Sequence, residues 1–116
     1  MGKLTTHILD IRDGKPGAAM NFCLYRLENH THVLLGTFLS NLDGRTDKPL
    51  LEGDYLTIGE YQLEFNVGAY FGLNSGDSAP PFLGIVPIRF GISDASNHYH
   101  VPLLCSPWTY STYRGS

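Results

Sequence analysis

The sequence predicts an all-β sandwich or barrel, and two observations lead to this prediction. Turn signals rich in Gly, Pro, Asn and Asp recur at short intervals along the 116 residues. The segments between them are short and rich in β-branched and aromatic residues, which is typical of many short strands joined by tight turns. The clearest strand spans residues 59–67, where Tyr61, Leu63 and Phe65 alternate with polar residues. Such a strand has one apolar face and one solvated face.

The other elements follow from the same spacing. Strands are expected over residues 4–10, 19–28, 32–40, 84–90, 98–104 and 108–113. Pro87 should lie near an edge or a bulge, because proline has no N–H for a ladder hydrogen bond. Residues 67–73 lack strict alternation, and we expect a short helix there.

Length and composition favour a single domain over residues 1–116. Hydrophobic residues make up 42% of the chain and charged residues 16%, which is typical of a globular domain with its own core. The net charge of −3, without a Lys/Arg cluster, disfavours nucleic acid and anionic membranes as partners. No apolar run is long enough for a signal peptide or a membrane span. We therefore expect a cytoplasmic protein, unless an upstream segment has been removed.

Cys23 and Cys105 are the only cysteines. Neither has a second cysteine nearby, so neither a zinc ribbon nor a redox pair is indicated. Both adjoin apolar residues, and we interpret them as small core side chains. At this point a disulfide between them remains open.

The segment HYHVPLL, residues 98–104, carries the most functional information. In a strand its apolar residues share the core face, while His98 and His100 share the outer face. Two neighbouring imidazoles that titrate near neutrality can transfer protons or bind a metal. From this segment alone, an ordinary solvated face is favoured by about two to one, because a single motif match is weak evidence.

Three other features have both a structural and a functional interpretation. His30 and His32 have the same spacing as the pair above but fall at a predicted turn, where a solvated loop is strongly favoured. His7 lies in the first strand, and by itself it would be a surface or half-buried histidine. Arg45 is either a loop arginine paired with a nearby aspartate or a planar cation that grips substrate oxygens in two places.

A metal-dependent hydrolase that uses His7, His98 and His100 is a weaker interpretation. The sequence offers no evident acidic ligand and no outer partners for such a site. It also has no Gly-rich phosphate loop and no serine nucleophile motif. We therefore expect no metal and no cofactor.

Four blocks stand out along the chain: LTTHILD at residues 4–10, GRTD at 44–47, HYHVPLL at 98–104 and YRGS at 113–116. These blocks resemble the motifs of the 5-hydroxyisourate hydrolases, a transthyretin-like family. A four-residue ending would be weak evidence alone, but these blocks follow one another in the family's order and spacing. Lys48 departs from the pattern, since a small residue is common after the aspartate.

The resemblance implies a sandwich of two four-stranded sheets with one short helix. It also implies a homotetramer with active sites at the dimer–dimer interface. The implied reaction is hydrolysis of 5-hydroxyisourate to 2-oxo-4-hydroxy-4-carboxy-5-ureidoimidazoline in urate degradation, a part of purine catabolism. The alternative is a transthyretin-like carrier that binds a small ligand without turnover. Such a carrier would lack the histidine set and the YRGS ending.

The resemblance also implies roles for particular side chains. His7 and His100 would be the catalytic imidazoles, one of which takes a proton from water. Arg45 would hold substrate oxygens and stabilise the charge that develops at the attacked carbonyl. His98 and Arg114 would support these residues.

The C-terminal residues complete the implied site. Tyr113 would contact the substrate and Ser116 would complete the catalytic polar network. Strict alternation places Tyr113 and Ser116 on opposite faces of the last strand. Both can line one site only if the chain bends or bulges near Gly115, or if they serve different subunits.

Overall fold

The computed structural model describes residues 1–73 and 79–115, which form short β-strands and one short α-helix. In chain order the elements are β1 (Lys3–Thr5), β2 (Ile8–Asp10), β3 (Lys15–Pro16), β4 (Asn21–Glu28), β5 (Thr31–Leu39), β6 (Leu51–Glu52), a 3₁₀ turn (Gly53–Tyr55), β7 (Gly59–Asn66), α1 (Val67–Tyr70), β8 (Ile85–Ile92), β9 (Tyr99–His100), β10 (Leu103–Cys105) and β11 (Tyr110–Ser111). The all-β class and the helix within residues 67–73 are confirmed. The turn expected at residues 74–77 lies outside the described residues.

One layer of the sandwich is an antiparallel sheet with the strand order β5-β4-β7-β8. Its β7 strand alternates as expected, because Tyr61, Leu63 and Phe65 are buried in the core. On the outer face Gln62 is buried as well. Its amide is hydrogen-bonded there, because it accepts from Arg89 and donates to Glu64. Pro87 lies in β8, which is an edge strand, as the missing N–H requires.

The second layer consists of two sheets, whereas the resemblance implied a single four-stranded sheet. It consists of a three-stranded sheet, β6-β1-β9, and a four-stranded sheet, β11-β10-β2-β3. The two are continuous, because Val101 N–H donates to the Thr5 carbonyl and Leu103 N–H donates to the His7 carbonyl. At the junction the Thr6 hydroxyl donates to the Val101 carbonyl, and such side-chain bonds compete with a regular ladder.

The core lies between the inner faces of the two layers. Leu4, Ile8, Phe22 and Leu103 are among its fully buried side chains. Each contributes about 1.5–3 kcal/mol by leaving water. Cys105 is buried among them, and burial raises the pKa of its thiol to about 12, so it is an inert core residue.

Both cysteines are free thiols, so the disulfide left open by the sequence does not form. Cys23 is half-buried on β4. Among the described residues, no helix is long and apolar enough to cross a membrane.

Candidate active site

The first two strands present alternate side chains to opposite faces. Leu4, Thr6 and Ile8 are buried, whereas Thr5 and His7 are only partly covered on the outer face. This is the arrangement that the alternation of the segment predicts. His7 therefore projects from the sheet rather than into the core.

His100 reaches the same outer face through a parallel pairing. β1 runs parallel to β9, and Thr5 is the direct cross-strand neighbour of His100. The Thr5 hydroxyl lies 2.9 Å from His100 Nδ1, within hydrogen-bonding distance. Since His7 follows Thr5 by two residues, the two imidazoles are diagonal neighbours on one surface.

The loop between β5 and β6 brings Arg45 to these histidines. Gly44 packs directly on β2: Ile8 N–H donates to its carbonyl at 2.7 Å. A side chain at Gly44 would collide with the Ile8 carbonyl oxygen, and φ of +73° also favours glycine there. The neighbouring Asp43 carbonyl accepts a hydrogen bond from His7 Nε2 at 2.9 Å. The loop is thus attached to the sheet through the His7 side chain and the Ile8 main chain.

Burial and positive charge depress the pKa of both imidazoles. Burial is the largest cause of the lowered pKa of His7, followed by the Arg45 guanidinium, while Asp43 opposes the shift. His100 has a lowered pKa for the same two reasons, with His7 as a third cause. Both rings are therefore neutral at pH 7, which is the form that a general base requires.

The surface beside these residues is an open depression of about 210 Å³. Lys3, Thr5, Arg45 and Thr46 are among its lining residues. Its lining includes three cationic side chains, three threonines and one carboxylate, that of Asp47. The excess of cations suits a small molecule with several carbonyl or anionic oxygens. Arg45 itself is exposed.

The C-terminal segment runs antiparallel beside β9 and β10 without an inserted residue. Cys105 pairs with Tyr110, and His100 pairs with Gly115 in the same register. Gly115 N–H donates to the His100 carbonyl at 2.8 Å. A Cβ on Gly115 would lie 2.6 Å from Cδ2 of the His100 ring, so the glycine backbone packs directly on the imidazole.

Tyr113 and Arg114 precede Gly115 in this segment. The Arg114 guanidinium lies 4.4 Å from the Tyr99 ring centroid. Tyr113 borders a groove of about 220 Å³ at the edge of the sandwich, which Tyr99 and Val101 also line. The bulge considered near Gly115 is not present up to that residue. Ser116 lies outside the described residues.

The structure thus brings His7, His100 and Arg45 together, whereas Tyr113 borders the groove beside Tyr99. His98 is exposed just before β9, where its carbonyl accepts a hydrogen bond from Arg114 at 3.2 Å. Arg114 therefore fastens the C-terminal segment to the sheet. Within residues 1–73 and 79–115, no three His, Cys, Asp or Glu side chains are grouped so that they could hold a metal ion.

Two contacts of the site were missed from the sequence. Thr5 shares the face of His7, but only the strand pairing reveals that it contacts His100. The Asp43 contact uses a main-chain carbonyl, which no side-chain motif can indicate.

The chain matches known proteins over almost its whole length. Residues 4–115 match the model of the HIUase/Transthyretin family. The 5-hydroxyisourate hydrolase of Ralstonia nicotianae is 50% identical, and the alignment covers 100% of both chains. The structure of Klebsiella pneumoniae 5-hydroxyisourate hydrolase is 34% identical with a TM-score of 0.79, again over 100% of both chains.

A third match is to part of a larger protein. The crystal structure of (S)-allantoin synthase aligns with a TM-score of 0.89 and 45% identity. The alignment covers 99% of this chain but 44% of that one. The fold described above therefore also occurs as one part of a longer chain.

Proposed function

Since the chain belongs to the HIUase/Transthyretin family, we propose that it is a hydrolase that opens 5-hydroxyisourate in urate degradation, a part of purine catabolism. The observation that carries the proposal is the meeting of His7, His100 and Arg45 on one outer face. Relatives that bear this activity in their names match the chain from end to end, which supports the same reading.

The reaction is the addition of water to the lactam-like carbonyl of the six-membered ring. The water oxygen forms a bond to the carbonyl carbon, and the ring C–N bond beside it breaks. The carbon becomes a carboxyl group and the nitrogen receives a proton, which gives 2-oxo-4-hydroxy-4-carboxy-5-ureidoimidazoline. Water is a weak nucleophile, so a neutral imidazole that accepts its proton accelerates the step.

The two histidines offer different nitrogens to this chemistry. A carbonyl oxygen only accepts hydrogen bonds, so the contact with Asp43 keeps the proton of neutral His7 on Nε2 and leaves the lone pair on Nδ1. Thr5 holds Nδ1 of His100, which directs Nε2 of that ring to proton transfer. One imidazole takes the proton of water and the other orients it or passes a proton to the leaving nitrogen.

Arg45 and the C-terminal residues complete the proposed site. The Arg45 fork binds the substrate's oxygens and stabilises the developing negative charge. Tyr113 contacts the substrate, and Ser116 completes the catalytic polar network. His98 and Arg114 act in support, Arg114 by fastening the segment that packs on His100.

A homotetramer with its sites between dimers accounts for the open shape of the depression. Enzyme sites usually enclose most of a small substrate, and one chain provides only one wall. Leu42 and Trp108 are large apolar side chains with 87% and 70% of their surface exposed, and an interface between subunits would cover such side chains. Size-exclusion chromatography with light scattering tests this assembly, and a fully active monomer at micromolar concentration contradicts it.

Decay of freshly prepared 5-hydroxyisourate, followed by ultraviolet absorbance with and without the protein, tests the function. The expected result is a decay rate proportional to protein concentration. Binding of the compound without faster decay would favour the carrier instead. The proposed catalysis uses side chains and needs no metal ion. Activity that is lost on chelation and restored by zinc would contradict this metal independence. The cytoplasmic location and the single domain over residues 1–116 stay predictions.

A further inference from the structure

The loop that carries Arg45 is organised by the side chain of one residue, Asn41. Its Oδ1 atom accepts hydrogen bonds from the N–H groups of Asp43 at 2.9 Å and Arg45 at 3.0 Å. Its Nδ2 group donates to Asp47 Oδ1 at 3.0 Å. One half-buried amide thus holds three positions of the loop.

The main chain of Asn41 closes the same loop. Its N–H donates to the Arg45 carbonyl at 2.8 Å, and its carbonyl accepts from Gly44 N–H at 3.0 Å. These bonds form a small closed unit from residue 41 to residue 47. The unit has little freedom relative to β2, because Gly44 packs against Ile8 as described above.

Two elements of the proposed site depend on the geometry of this unit. The Asp43 carbonyl must be aimed at His7 Nε2 to fix the tautomer, and the Arg45 main chain must be placed so that its guanidinium reaches both histidines. The Asn41 oxygen binds the N–H groups of these same two residues.

We infer that Asn41 is a positioning residue that sets the His7 tautomer and the location of Arg45 through the two hydrogen bonds accepted by its Oδ1 atom. This inference rests on the proposed function only for its catalytic consequence. The state of the His7 ring can be observed without substrate.

The first test compares Asn41→Ala with Asn41→Asp. Alanine removes the acceptor, so the Asp43 carbonyl and Arg45 shift. A misplacement of about 1 Å costs on the order of a hundredfold in kcat. Aspartate keeps an acceptor of the same length for both N–H groups, although its second oxygen repels the Asp47 carboxylate instead of donating to it. We therefore expect Asn41→Asp to keep most of the kcat at roughly pH 8, where both histidines are neutral.

A spectroscopic readout separates positioning from a general loss of structure. Long-range ¹H–¹⁵N spectra of the histidine rings should show His7 protonated on Nε2 in the parent protein and in Asn41→Asp. A mixture of tautomers should appear in Asn41→Ala. The control is Asn66→Ala, because Asn66 Oδ1 also accepts a main-chain hydrogen bond, from Ala69, at a distance from the site. It should leave both the His7 pattern and kcat unchanged.

The pH profile provides a third readout. Arg45 is the second-largest cause of the lowered pKa of His7 and of His100, while Asp43 acts on His7 in the opposite direction. Displacement of Arg45 in Asn41→Ala should move the acidic limb of the rate profile to higher pH. Asn66→Ala should not move it.

An unchanged His7 pattern in Asn41→Ala overturns the inference, and so does an Asn41→Asp variant that loses as much kcat as alanine. If Asn41→Ala does not fold, Asn41→Leu takes its place, because leucine is similar in shape to asparagine and has no hydrogen-bond acceptor. Absence of turnover in the parent protein would reject the proposed function, while the ring spectra would still decide the role of Asn41.

Discussion

Two segments of the chain each carry two histidines that are two residues apart, His30 with His32 and His98 with His100. The two pairs differ in the side chains that the neighbouring strands place beside them. His30 lies in the turn of the β4–β5 hairpin, where Asn29 and His30 have φ angles of 49° and 66°. Two consecutive positive φ angles produce the tight turn that matches the twist of a hairpin. His32 then packs edge-on against Tyr25, with ring centroids 5.8 Å apart. The predicted turn is thus found at His30, whereas His32 lies in β5 and not in a loop.

The second pair ends at His100, which lies in a strand with a parallel neighbour from the start of the chain. That neighbour supplies Thr5 at Nδ1 of His100 and His7 on the same face. The C-terminal segment adds Gly115 from the other side. Identical spacing thus has different consequences, because the functional neighbours come from distant parts of the chain. The following predictions test this contrast.

The largest difference is expected between His100→Ala and His32→Ala. Loss of a general acid–base group costs about 10²–10⁴-fold in rate, so His100→Ala should lose nearly all hydrolysis. His32→Ala removes only the contact with Tyr25 and should keep the parent kcat. Ultraviolet assays beside circular dichroism measure both. Comparable losses in the two folded variants would remove the distinction between the pairs.

Deletion of residues 113–116 tests the support that the C-terminal segment gives to His100. The deletion removes the Gly115 backbone from the imidazole ring, together with Tyr113, Arg114 and Ser116. A loss of about a hundredfold or more in kcat is expected. The core strands are untouched, so circular dichroism and size exclusion should show a folded assembly. A truncated protein with normal turnover would exclude the segment from the mechanism.

The two arginines near the two histidine pairs provide a smaller contrast. Arg45→Lys keeps the charge but loses the planar fork, and roughly a tenfold fall in kcat/KM is expected. Arg89 borders the His30 and His32 region and donates to Gln62, so Arg89→Lys should leave kcat/KM unchanged. Steady-state kinetics measures kcat/KM of both variants beside the parent protein. If Arg45→Lys behaves like Arg89→Lys, Arg45 is only a loop arginine.

The smallest effect concerns pH. Burial and Arg45 lower the pKa of His7 and His100 below the ordinary 6.5, so both stay neutral until the pH falls beneath that value. A base that must be neutral is lost by protonation, and the rate should therefore fall on the acidic side only below pH 6.5. The two rings interact, so the limb reports the pair. A flat kcat through this range, with an intact fold and rate-limiting chemistry, argues against a histidine base.

The local sequence predicts which side chains share a face of each strand, but it does not predict which strands pair with one another. Alternation correctly separated Leu4 and Ile8 from His7, because successive side chains of any strand point to opposite faces. Pro87 was correctly placed at an edge for an equally local reason. The division of the second layer at Thr6 was not predicted, since it depends on a hydroxyl that bonds to a residue 95 positions away.

The sequence by itself determined the β class, the apolar and polar faces, and, through the resemblance of four blocks, the candidate residues His7, Arg45 and His100. These depend on residue type and short-range periodicity, which the chain carries wherever it folds. Only the tertiary structure decided how those residues act. The contact of His7 with the Asp43 carbonyl, the Thr5 hydroxyl on His100 and the Gly115 backbone over that ring all join segments remote in sequence. Such contacts arise from the register of the strands and the packing of the loop on the sheet. Several of them use main-chain atoms, and because every residue has these atoms, no sequence pattern indicates them.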